Sequence, residues 1–355
     1  MLQLTVFLLI LRRVLIDYLV PDFFIFPLLA VIMVAGMFLK AHRLTLRDIG
    51  ILCICTVLTV LNSMFINFLI LYILAFILKD YPYQKICRCI VMGIVFFLIF
   101  HVIIFVLGFR ENEVIFLLNK TEKAVNSLGF RSANSIAFYF CLCLQACFIL
   151  RSNASRKAQI FLCLLFLITY LVVFYFCQSR GGFVFIFIAL LSNFVPTKIR
   201  EIMLKKLNFI LFGLGALSLW LAWEGYKINE LNMLLTTRPA CWHFFVQGMV
   251  GKDFIIGSSA FGRAADFEYC LDSSFVTLFV RNGIVGYIWL AILIRSMLRE
   301  NLRFLVKIFP IVIAVIAIAF FESFFYGVGI TTVLMFLLMF PVARQEREQL
   351  RPAEE

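Results

Sequence analysis

Charge is scarce in this chain: only 15% of its residues are Asp, Glu, Lys or Arg, where a soluble domain carries about 25%. Acids are scarcer still, 20 against 32 Lys and Arg, and there are 3 histidines. So little charge excludes a water-soluble enzyme and a solvated disordered chain. No Cys-x-x-Cys pair occurs among the 11 cysteines, which sit mostly inside apolar runs. The pairs Cys53/Cys55, Cys87/Cys89 and Cys141/Cys143 suit small packing residues, so neither a metal nor a cofactor is expected. The net charge of +12 comes in small clusters between apolar runs and forms no single stripe. No nucleic-acid partner is expected on that pattern.

What the chain does have is apolar surface: 64% of residues are apolar or aromatic, Phe alone numbers 43, and the mean hydropathy is +1.04. A helix needs roughly 20 apolar residues to cross a bilayer. Runs of that kind lie near 2–20, 23–39, 89–109, 133–150, 159–177, 182–196, 207–223, 280–298, 306–322 and 327–342. Residues 49–78 have basic flanks on both sides and fit two short helices meeting at Asn62-Ser63. The expected fold is all-α, a polytopic membrane helical bundle of about 10–12 spans, with residues 1–355 as a single integral membrane domain. Arg12 and Arg13, in the middle of the first run, are costly in lipid. They also interrupt any signal-peptide core, so no cleavable signal is expected.

Alternating spans put every basic cluster on one side: Lys40/Arg43/Arg47, Lys79/Lys85/Arg88, Arg151/Arg156/Lys157, Lys198/Arg200/Lys205/Lys206, Arg295/Arg299/Arg303/Lys307 and the tail arginines. The positive-inside rule makes that side cytoplasmic, with both termini. On the other side one connection is long, about 224–279, and its Trp242, Phe244, Phe245 and Phe254 suit a loop that folds back on the bundle.

Five features on that outer side carry candidate chemistry, each with a plainer reading. Arg131, in Gly-Phe-Arg-Ser-Ala-Asn just before a span, sits badly for a helix dipole unless something holds it; the plainer reading is a snorkelling anchor. Arg180, in Gln-Ser-Arg-Gly-Gly between two spans, is either a turn residue or an arginine aimed between helices. Arg238 and Trp242 lie four apart in Thr-Thr-Arg-Pro-Ala-Cys-Trp-His, a capped helix start. An arginine beside an aromatic suits a sugar-phosphate, or stacks for packing alone. His243 follows, the one histidine on this side. Gly257 to Arg263 reads as a flexible turn and matches no phosphate fingerprint, and Asp266 with Glu268 is a weak metal pair better read as solvated charge. Asp272, where the loop re-enters the membrane, is costly unless paired, functional or a helix cap. Glu322, at the outer end of a later span, is a second carboxylate.

Three guanidiniums in one cavity repel without an anion, and a diphosphate is the natural counter-charge through bidentate hydrogen bonds. With a carboxylate as general base, Arg131, Arg180 and Arg238 describe group transfer from a lipid phosphate.

From about residue 120 to 300 the chain resembles the O-antigen polymerase and ligase superfamily of bacterial inner-membrane glycosyltransferases. Ser179-Arg180-Gly181-Gly182 resembles its most recognisable segment, and Arg238-Pro-Ala-Cys-Trp242 its Arg-x-x-x-Trp step; Gly-Phe-Arg131-Ser-Ala-Asn134 and the Gly257/Gly262 turn are similar but less close. Asp272-Ser273, nine residues, Gly283, two residues and Gly286 keep the ligase frame with Asp in place of its histidine, which favours polymerase over ligase. The resemblance implies a GT-C-type bundle with a periplasmic loop at 224–279 and a metal-independent, inverting transfer. The donor and acceptor implied are undecaprenyl-diphosphate-linked glycans in the inner membrane, with a chain-length regulator and a flippase as protein partners. Arg131, Arg180 and Arg238 would bind pyrophosphate. Asp272 would orient or deprotonate the acceptor, backed by Glu322, with Arg263, Arg281, Trp242 and His243 as further contacts. The alternatives are an O-antigen ligase acting on lipid A-core and a polysaccharide flippase; charges gathered outside mid-membrane and the lack of a visible repeat disfavour transport.

Overall fold

The computed structural model describes residues 2–17, 25–109, 114–116, 124–126, 133–177, 179–235, 237–258, 273–322 and 330–340. Apart from one short antiparallel hairpin, β1 (Val114–Phe116) with β2 (Ala124–Asn126), the described residues with regular structure are helical. In chain order these are α1 (Leu2–Asp17), α2 (Ile25–Lys40), α3 (Leu46–Leu61), α4 (Ile66–Leu78), α5 (Tyr83–Val106), α6 (Ala133–Leu150), α7 (Arg156–Cys177) and α8 (Arg180–Ser192). There follow α9 (Thr197–Lys205), α10 (Leu207–Trp223), α11 (Asn229–Leu234), α12 (Arg238–Gln247), α13 (Asp253–Ile256), α14 (Ser274–Lys307), α15 (Phe309–Phe321) and α16 (Ile330–Leu337).

Each apolar run is met by a helix, but many of these helices are short. Among the described residues three helices, Tyr83–Val106, Arg156–Tyr175 and Ser274–Lys307, are long and apolar enough to cross a membrane; a fourth arises if α9 and α10, bent by 65°, count as one span. Of the expected bundle of 10–12 crossings, the all-helical character is met, and three to four of the described helices reach spanning length. A 13-residue helix such as α4, α8 or α15 rises only about 20 Å, against roughly 30 Å of hydrocarbon.

Burial separates the centre from the rim. Leu71, Leu74, Phe76 and Ile77 of α4 and Phe309, Val312, Ala314 and Ala319 of α15 are all but inaccessible. α5 and α7 instead turn Phe96, Ile99, Val102, Phe161, Ile168 and Val172 outward. An apolar belt of this extent is far beyond what a soluble monomer exposes.

Contacts between helix ends sort the bundle into two poles. At one, Arg47 reaches Glu300, Lys79 reaches Asp48, Tyr83 donates to the Leu334 carbonyl at 2.6 Å, and Lys307 donates to Asn153 at 2.7 Å. Lys40, Arg43, Arg47, Lys79, Arg200 and Lys307 all belong to this basic pole, where Thr45 and Asp48 close a capping box on α3. The opposite pole holds the α3–α4 junction, the start of α8 and the long connection.

At this second pole three chain breaks meet. The α3–α4 pair divides at Asn62, as the length and flanking charge of 49–78 require, and a 3-10 turn (Ser63–Phe65) joins the two helices. α14 breaks at Gly283 (φ 62°), and α13 ends at Gly257 (φ 79°). A Cβ on Gly257 would lie 2.1 Å from the Arg281 carbonyl, and one on Gly283 2.3 Å from the Ile255 carbonyl oxygen. Only glycine combines that backbone sign with that approach. Breaks expose peptide groups, and Asn62 answers them. Its Nδ2 donates to the carbonyls of Ile256 (2.7 Å) and Arg281 (2.8 Å), while its Oδ1 accepts from the Met64 N–H (2.9 Å). Beside it, Ser258 N–H donates to the Val280 carbonyl at 2.8 Å.

Asn62→Ala should therefore lower stability by about 2–3 kcal/mol, since two buried carbonyls lose their donor. Asn62→Asp should be worse than alanine, because a carboxylate faces the same two carbonyls. Unfolding midpoints of the purified chain check the order; an aspartate variant as stable as wild type would remove Asn62 from this role.

Candidate functional site

The second pole gathers several helix ends around Glu322. This residue is the C-cap of α15, and its N–H still bonds back to the Ile318 carbonyl at 2.8 Å. A carboxylate at a helix C-terminus opposes the helix dipole, so it needs a cation. Arg238 supplies it: Nη2 donates to Glu322 Oε1 at 3.2 Å and Nη1 donates to the Phe321 carbonyl. Both side chains are largely covered, 22% and 14% exposed. The Glu322 carbonyl is taken by the start of α14, where Ser274 N–H (3.2 Å) and Ser274 Oγ (2.5 Å) both donate to it. α15 thus runs head to tail into α14, its negative end against a positive one.

The start of α8 completes the group. A Cβ on Gly181 would stand 3.4 Å from Glu322 Oε1 and 3.3 Å from Ile318, so Arg180 begins its helix directly beside the ion pair. Gly182 is buried against Tyr170, whose ring a Cβ would overlap at 2.5 Å, and the Tyr170 hydroxyl donates to the Ser179 carbonyl at 2.8 Å. The Arg180 side chain is exposed. Neither Ser179 nor Thr237, the N-caps of α8 and α12, caps its helix with its side chain. The starts of α8, α12 and α14 therefore cluster at Glu322 with two arginines. Clustered helix N-termini favour an anion, because their first N–H groups and dipoles point the same way.

The other expected residues divide. Trp242, one turn after Arg238, is fully buried and lies edge-on to Phe320, 6.2 Å between centroids. It braces α12 beneath the arginine instead of offering a face to a ligand. His243 stacks on Tyr226 at 3.7 Å and its Nδ1 lies 2.9 Å from the Ala222 carbonyl, which ties α12 to the end of α10. Arg281 is half-buried at the break in α14, seven residues from Ser274, roughly 10 Å away by helical rise. Arg131, Arg263 and Asp272, with Asp266 and Glu268, lie outside the described residues. Ser273, adjoining Asp272, is the N-cap of α14, its Oγ accepting from the Val276 N–H at 3.4 Å.

The structure thus joins Arg238 and Glu322, with Gly181 and Ser274 at their side. Sequence reasoning singled out both charges but gave them separate partners, a phosphate and an acceptor hydroxyl. It missed Ser274 as the cap of α15, and Asn62 as more than a helix break. The Thr-Arg-Pro helix start was legible because Pro in the first turn marks it.

Removing one member of the pair should cost more than removing both. Arg238→Met alone should destabilise by about 1–3 kcal/mol through the stranded carboxylate, and Glu322→Gln in the same chain should restore most of that loss. A double-mutant cycle on unfolding midpoints reads the coupling; strict additivity would mean that the pair contributes nothing. No family model matches this chain, and neither a curated protein sequence nor a solved structure does.

Proposed function

We propose that this chain is an inner-membrane glycosyltransferase of the O-antigen polymerase type. It transfers an undecaprenyl-diphosphate-linked glycan onto a repeat unit carried on the same kind of lipid. The observation that supports this reading most is the gathering of Arg180-Gly181, Arg238, Ser274 and Glu322 at one pole, opposite the basic clusters. On the positive-inside rule the basic pole faces the cytoplasm and the site the periplasm. The GT-C-type architecture and the periplasmic position of 224–279 belong to the same reading.

The acceptor hydroxyl gives its proton to a carboxylate, Asp272 in this proposal, and its oxygen attacks the anomeric carbon of the donor. The bond from that carbon to the diphosphate oxygen breaks with inversion, and the diphosphate departs with the electron pair. Arg180 and Arg238 neutralise the charge that develops on it, Arg131 joining them, and the helix starts at α8 and α14 add fixed dipoles. Arginine suits the task because its planar fork holds two phosphate oxygens at once. Arg238 is held by Glu322 in the free protein. A diphosphate, with more charge and more acceptor oxygens, displaces that single carboxylate contact.

Deletion of the gene, read on a lipopolysaccharide gel, tests the proposal. Loss of a polymerase leaves core plus one repeat unit; bare core would overturn the reading in favour of a ligase or a flippase. Arg180→Ala and Arg238→Ala should each abolish polymer with the protein still in the membrane fraction, and lysine at either position should rescue poorly. Full-length polymer from both alanine variants would remove the arginines from the site.

A further inference from the structure

Away from the candidate site, at the basic pole, α9 departs from the rest of the bundle. It is set at 65° to α10, so it lies across the pole and does not continue the span. Its inner face carries Leu204, fully buried, and Arg200, 8% exposed. Arg200 is held there by the carbonyls of Val195 and Asn193, both at 2.8 Å, and lies 5.7 Å from the Phe309 ring. Its outer face is mixed: Ile199 and Ile202 are 47% and 53% exposed, with exposed Lys198, Lys205 and Lys206 around them. Phe194 before the helix and Phe209 after it are exposed as well, and each is capped by a cation, Arg156 and Lys206, at 5.4 Å.

Outward isoleucines and phenylalanines are unfavourable in water and favourable at the headgroup–acyl boundary, where lysine stems snorkel outward. The charges at this surface are unbalanced. Glu201 is spent on Lys205 at 2.7 Å, while Arg156, Lys198 and Lys206 have no carboxylate partner among the described residues. Arg156 also repels the fixed Arg200. An anion relieves that repulsion, and the neighbouring apolar side chains favour one that carries acyl chains.

We propose that α9 is an interfacial helix that binds anionic phospholipid, of the phosphatidylglycerol class, through Arg156, Lys198 and Lys206, with Ile199 and Ile202 against the acyl chains. The inference rests on the chain spanning a membrane and is independent of the transfer reaction.

Alkaline carbonate extraction of membranes tests the first condition by itself: release of the chain overturns the membrane reading. For the lipid site, the full chain in detergent is mixed with phosphatidylglycerol, phosphatidylcholine or inorganic phosphate, and retained lipid is counted by native mass spectrometry. Phosphatidylglycerol should be retained and should raise the unfolding midpoint, more weakly at high salt; the other two should do neither. Each of Arg156→Gln, Lys198→Gln and Lys206→Gln should weaken retention about fivefold, while Lys198→Arg and Lys206→Arg should keep it. Equal retention by the glutamine variants or of phosphatidylcholine would overturn the proposal. So would displacement by inorganic phosphate, which would make this a soluble-anion site.

Discussion

In an apolar bundle the backbone of a helix is satisfied everywhere except at its two ends, and lipid supplies no partners for the groups left over. This chain has many more ends than a bundle of full-length spans, because α3, α4, α8, α10 and α15 are 13 to 17 residues long. Much of its polar chemistry answers that single constraint. Asn62 closes the ends of α3 and α13 and the break in α14. Ser274 closes α15, Tyr170 takes the carbonyl before α8, and at the basic pole Asn301 takes the carbonyls of Leu338 and Phe340. A residue placed to close one helix stands beside the start of another, so polar groups accumulate where helices stop short.

The candidate site is one such accumulation. Glu322 is present at the end of α15 against the sense of its dipole, and Arg238 at the start of α12 is equally misplaced. Each is tolerated because the other offsets it. Two unfavourable placements that cancel only across 84 residues of sequence are a costly way to close a helix, for which a serine is enough. The expense is understandable if the pair does something that a cap does not.

Periodicity and length made the helices readable, down to the division of 49–78 at Asn62, because a 30-residue run with basic flanks on both sides has one compact solution. The grouping of the basic clusters was readable in the same way: those around Lys40, Lys79, Lys205 and Lys307 alternate with apolar runs, and the described ones share a pole. The breaks within helices were not readable, since an apolar run marks a helix without fixing how much of it is straight; α14 hides a break at Gly283 inside 34 apparently continuous residues. Nor was the Arg238–Glu322 contact, because spacing along a chain carries no information about which distant ends meet. Trp242 shows the complementary failure. Its helical spacing from Arg238 was right, yet spacing does not separate a ring that stacks on a ligand from one that fills the space beneath it.

The same constraint gives the ion pair a direction. While Arg238 holds Glu322, the carboxylate is neutralised and the helix end is quiet. A diphosphate that draws the guanidinium away leaves Glu322 at the negative end of α15 with its backbone carbonyl still fixed by Ser274. A carboxylate stranded there needs a hydrogen-bond donor or a proton. A sugar hydroxyl supplies the hydrogen bond, so on the proposed reading donor binding prepares the protein to receive the acceptor. On that reading Glu322 then holds a neighbouring hydroxyl of the acceptor while Asp272 takes the proton of the attacking one, and an ion pair whose first duty is to close a helix orders the two substrates.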